Sequence, residues 1–114
     1  MRIWYKIVDI DEDGNIKTLY HGVNKSRILR IGQWLEAEKK MVRDGSCQTR
    51  YESAFHVLPS YEECIKYLRK FKRLDQKRIV TCKAKKVRAK KHSKADVFLA
   101  EKILIEDNIC EPKF

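Results

Sequence analysis

The sequence predicts an α+β fold, a single domain built as one mostly antiparallel sheet of about four to six strands with two helices packed on it. Three observations point there. The chain opens on two runs rich in Ile, Val, Tyr and Trp around an Asp-Gly turn. A later segment carries both a helix cap and an unbroken apolar stripe, and two stretches near the end are dense in β-branched residues. At 114 residues, 43% of them apolar, the chain can build one core and is too short for two.

Each element follows from its local pattern. Residues 2–23, RIWYKIVDIDEDGNIKTLYHGV, read as a β-hairpin whose turn centres on Asp13 and Gly14, where glycine supplies a positive φ. In its first arm Ile3, Tyr5 and Ile7 share one face while Trp4, Val8 and Ile10 share the other with Lys6, so both faces are expected to be partly covered, which suits a sheet with a helix on one side. Residues 22–32 give mixed signals. Residues 33–42, QWLEAEKKMV, place Trp34, Ala37 and Met41 at i, i+3 and i+7 before Gly45, the pattern of a helix. Residues 51–58, YESAFHVL, form a strand closed by Pro59. The helix at 61–72 has Ser60 as N-cap, Glu63 to complete a capping box and Glu62 to complement the helix dipole. Its stripe is Tyr61, Cys64, Ile65, Leu68 and Phe71, with the cations projecting away. Residues 77–85 are a strand with Val80, Cys82 and Ala84 on one face; Val87 and Ala89 continue that face only if one residue is absorbed near Lys85 and Lys86. Residues 95–107, apolar on both faces, are the central strand. The domain spans 1–107, and 108–114, with Pro112, is a loose tail.

Charge narrows the function class. The net charge is +10, and it is not spread evenly: residues 66–94 hold fourteen Lys or Arg against the single acid Asp75, while the other 85 residues carry twelve bases and fifteen acids. Solubility gives a domain balanced elsewhere no reason to gather like charges, so the block reads as a surface for a polyanion. No apolar run reaches the length of a membrane span, and the opening turns acidic where a signal peptide continues apolar, so an intracellular, cytoplasmic protein is expected. Cys47, Cys64, Cys82 and Cys110 lack metal-ligand or disulfide-framework spacing and are expected as free thiols, with neither metal nor cofactor.

Candidate chemistry outside the block is thin. Asp9, Asp11, Asp13 and Gly14 match the start of a calcium loop, but Tyr20 stands where a bidentate Glu is needed, so an ordinary polar turn is expected. Cys64 and Cys82 fall on apolar faces and read as core; His56, between Phe55 and Val57, reads as a structural histidine. The segment TLYHGVNKSRIL resembles the first motif of the His-Tyr-Glu group of ADP-ribosyltransferases. That resemblance implies NAD binding with His21 on the nicotinamide ribose, Phe55 near the stacking position and Glu101 orienting the ribose; AFHV stands where the group has a glycine and a tyrosine. The strand-DG-strand opening, SAFHVL and SYEECIKYL together resemble small α+β proteins of phages and bacteria, which implies the fold and a phage-like origin and supplies no activity.

The reading is therefore a small, non-enzymatic accessory protein that binds nucleic acid, RNA or DNA, through phosphates and without strong sequence specificity. Its contacts are Lys66, Arg69, Lys70 and Arg73 on the helix and Lys83, Lys85, Arg88, Lys90 and Lys91 on the following strand, merged into one patch if the two elements are neighbours. An acidic protein surface, such as that of a host enzyme, is the alternative partner.

Overall fold

The computed structural model describes residues 2–19, 28–37, 41–43, 50–52, 54–71, 74–90 and 96–113. Among these residues, nine strands and one helix run in the order β1 (Trp4–Ile10), β2 (Ile16–Lys17), β3 (Ile28–Leu29), β4 (Trp34–Glu36), β5 (Met41–Arg43), β6 (Arg50–Glu52), β7 (Phe55–Val57), α1 (Tyr61–Leu68), β8 (Lys77–Ala89) and β9 (Phe98–Cys110). Seven strands form one sheet in the order β3-β2-β1-β8-β9-β4, with β7 also on β9, and β5 pairs with β6 separately; every pairing is antiparallel.

The opening hairpin forms as its turn chemistry dictates. Gly14 takes φ 83°, and the Asp11 carboxylate accepts the N–H groups of Asp13 (3.0 Å) and Asn15 (2.9 Å) while pairing with Lys17 at 3.3 Å. The Asn15 N–H leads the causes that hold the Asp11 carboxyl below its ordinary range. Asp9 is ion-paired with Lys77, so two of the carboxylates of the calcium-like run are already engaged.

Strand β1 has a core on each face. Trp4 and Val8 join Phe55, Val57, Val80, Cys82, Ala100, Ile103 and Ile105, and Ile7 joins Leu58, Cys64, Leu68, Ile79 and Val97 under the helix. Helix α1 starts at its cap, Ser60 Oγ accepting the Glu63 N–H at 3.2 Å. The Glu63 carboxylate accepts the Asp96 N–H at 3.3 Å in place of the reciprocal capping-box bond, tying the helix to the chain entering β9. The helix stops at Leu68, short of the expected 72, and Lys70 and Phe71 N–H groups close a tight final turn on Tyr67 and Leu68.

A ring of backbone hydrogen bonds closes part of the sheet. β7 pairs with β9 through Phe55↔Ala100 and Val57↔Phe98, and Leu58 exchanges both bonds with Tyr5 of β1, at 2.9 and 2.7 Å. Hence β1, β8, β9 and β7 return on themselves, and none of them is a free edge where they meet.

Three expectations are corrected. Residues 33–42 are not a helix: Trp34, Leu35 and Glu36 pair with Leu104, Ile103 and Lys102 of β9, and Met41–Arg43 is β5. The middle of β9 needs a backbone partner on the side away from β8, and an uncapped ten-residue helix is marginal alone, so the segment fills the ladder. One helix, not two, therefore stands among the described residues, beside more strands than expected. Second, YESAFHVL is divided between β6 and β7 in different sheets. Third, β9 continues to Cys110, with Val80↔Ile109 and Ile79↔Cys110, three residues into the expected tail. The phase slip at the end of β8 is present: Lys86 has φ 54°, and Ala84 and Val87, three steps apart, pack on the same core. The shift of pairing register lies elsewhere, between Val80 and Cys82.

Candidate nucleic-acid interface

Alternation in the three strands at one side of the sheet assembles a cationic surface. Leu35, Ala84, Ile103 and Ile105 are turned to the core, so their neighbours Trp34, Glu36, Lys83, Lys85, Lys102 and Leu104 share the opposite face. Register aligns them in two rows, Trp34–Leu104–Lys83 and Glu36–Lys102–Lys85. Strands stand about 4.8 Å apart, so Lys85 and Lys102 are direct cross-strand neighbours of like charge, an arrangement that disfavours folding. Among the described residues, no carboxylate forms an ion pair with Lys83, Lys85 or Lys102. Trp34 is 39% exposed, and the Lys85 ammonium lies 4.3 Å from its ring centroid.

The basic block divides between engaged and open members. Lys77 pairs with Asp9, Arg78 with Glu111 at 3.6 Å, and Glu101 holds both Lys86 (3.7 Å) and Arg88 (3.9 Å). Arg88, expected as a phosphate contact, is therefore already facing a carboxylate. Lys90 follows the last residue of β8, its N–H donating to Val97 O at 3.1 Å. Lys66 on α1 and Arg69 and Lys70 in the turn that follows it are exposed, with the Lys70 ammonium 5.0 Å from the Tyr67 ring. Arg73 and Lys91 lie outside the described residues.

Helix and strand cations are not side by side. Helix α1 packs on β1 and over Ile79, and Lys83 and Lys85 follow Ile79 on the same sheet face by four and six residues, roughly 13 and 20 Å along β8. The expected single patch becomes two groups, one on the helix and one on the open end of the sheet. Trp34 and Lys102 were missed because reading 33–42 as a helix sent Trp34 into the core. The alternation of exposed Trp34, half-buried Leu35 and exposed Glu36 arises only from pairing with β9, which no local pattern in the segment announces.

The residues singled out by the ADP-ribosyltransferase resemblance are placed otherwise. His21 is outside the described residues; Phe55 is 4% exposed within the core, 5.7 Å from the Lys6 ammonium; Glu101 is held by its two cations. Cys64 and Cys82 are buried free thiols, which burial pushes up to about 12 and about 11, and Cys110 is free. Protonated at neutral pH, the buried pair is not nucleophilic. No helix among the described residues is long and apolar enough to cross a membrane, and none of their His, Cys, Asp and Glu side chains cluster in threes to hold a metal. Compared with known protein families, curated proteins and solved structures, the chain has no match.

Proposed function

We propose that the protein binds nucleic acid, RNA or DNA, through phosphate contacts of Lys83, Lys85 and Lys102, with little preference for sequence. The observation that carries this reading is the open sheet face on which these three lysines stand, with no ion-paired carboxylate among the described residues, beside an exposed tryptophan. Lys85 and Lys102, set directly opposite one another, cost stability that the cross-strand neighbour Glu36 offsets only on the Lys102 side, and a phosphate is the partner that offsets the remainder. Trp34 adds a flat apolar surface for a base of a single strand, worth about 1–3 kcal/mol by stacking. Lys66, Arg69 and Lys70 extend the positive field and steer the encounter.

Fluorescence anisotropy with labelled twenty-nucleotide RNA, single-stranded DNA and duplex DNA tests it. Three neutralised phosphates predict log K falling by about 2 per decade of salt on single strands and about 2.7 on duplex. Changing Lys83, Lys85 and Lys102 together to Gln removes most of that slope, and Trp34→Ala weakens single-strand binding while sparing duplex. Affinity that ignores both salt and the triple change refutes the reading. Purification without nuclease separates the alternative partner: an acidic protein retained with a 260 to 280 nm absorbance ratio typical of protein alone favours docking on that protein.

A further inference from the structure

A second site lies away from the cationic face. A cleft that opens to solvent has Lys6, Thr18, His56 and Tyr67 as its polar lining, and the empty space within it and across its mouth comes to about 460 Å³. Lys6 is 4% exposed, the only charged side chain that is buried among the described residues. Its ammonium donates one hydrogen bond, to the His56 carbonyl at 3.0 Å, and no described carboxylate forms an ion pair with it. A buried cation with one neutral acceptor lacks the counter-charge and the further acceptors that burial demands. The remaining walls, Leu19, Phe55, Leu58 and Val97, are apolar. One positive charge offsets one negative charge, and apolar walls exclude the several hydrated oxygens of a phosphate.

We propose that this cleft binds a small organic carboxylate, its carboxyl group on the Lys6 ammonium and its apolar body against Leu19, Phe55, Leu58 and Val97. The site is independent of the sheet face that contacts nucleic acid. The test is a titration of isotope-labelled protein with hexanoate and with benzoate, followed by two-dimensional NMR, against hexan-1-ol and benzyl alcohol as neutral counterparts. Saturable shifts centred on Thr18, Phe55 and Tyr67 are expected, with the acids at least about tenfold tighter than the alcohols. Lys6→Met brings acid and alcohol to similar affinity, and Ala54→Phe, which fills the cleft and leaves the lysine in place, abolishes both; if Lys6→Met fails to fold, Ala54→Phe alone decides. The proposal is overturned by alcohols that bind as well as acids, by inorganic phosphate displacing the acids, by shifts confined to Lys83, Lys85 and Lys102, or by no saturation into the millimolar range.

Discussion

Replacing Lys6 with Met should change not only stability but its dependence on pH. Burial is the leading cause that lowers the Lys6 pKa from 10.5 to about 8. Between those values the unfolded chain holds a proton that the folded protein has released, so folding stability rises with pH across the window from about 8 to 10.5. The full gain is about 3 kcal/mol, of which about 1 kcal/mol is realised between pH 7 and pH 9. Cys64 and Cys82 act in the opposite sense. Their unfolded thiols ionise near 9 while the folded ones hold on to about 12 and about 11, so stability falls above pH 9. The Lys6 ammonium draws both thiols down somewhat, but up to pH 9 the folded thiols stay protonated with or without it, so over that range the fall is shared by wild type and Lys6→Met. Urea denaturation of both proteins at pH 7 and pH 9, under reductant and followed by tryptophan fluorescence, measures the difference directly. At pH 7 the methionine, which needs no counter-charge, is the more stable; by pH 9 wild type regains about 1 kcal/mol on it. Parallel pH profiles for the two proteins would refute the assignment of a buried, uncompensated ammonium.

Two further changes probe other parts of the argument. Ser60→Ala removes the acceptor for the Glu63 N–H and should cost about 1 kcal/mol in the same denaturation assay, with no effect on oligonucleotide affinity. Glu101→Gln releases Lys86 and Arg88 from their shared carboxylate, and should tighten oligonucleotide binding and steepen its salt slope by roughly 1 to 2, read by anisotropy at several salt concentrations.

Much of the fold was legible where local chemistry and tertiary packing agree. The Asp13-Gly14 turn, the Ser60 cap, the core faces of Cys64 and Cys82 and the central place of β9 all follow from residues within a few positions of one another. Even the slip near Lys86 was visible, because the apolar phase of β8 breaks there. The failures are long-range. Nothing within residues 33–42 announces that β9 lacks a neighbour, and a heptad-like placing of Trp34, Ala37 and Met41 mimics a helix. Ring closure through Tyr5 and Leu58 is likewise invisible locally, since it joins residues more than fifty positions apart by backbone atoms alone. For the candidate interface, clustering of cations along the chain singled out β8, but which of its cations are ion-paired depends on Glu101, supplied by the neighbouring strand.

The neighbour that β1 requires on its long side is β8, and Trp4 meets Cys82 there. At a synthesis rate of about 5–20 residues per second, the ribosome emits that partner roughly 4–16 seconds after the tryptophan. For that interval a newborn amino-terminal hairpin waits with one flank bare, open to capture by another nascent copy. The crowded translation of a strongly expressed message is therefore where this architecture is most exposed to misassembly, and slower initiation or a holding chaperone is the remedy it calls for.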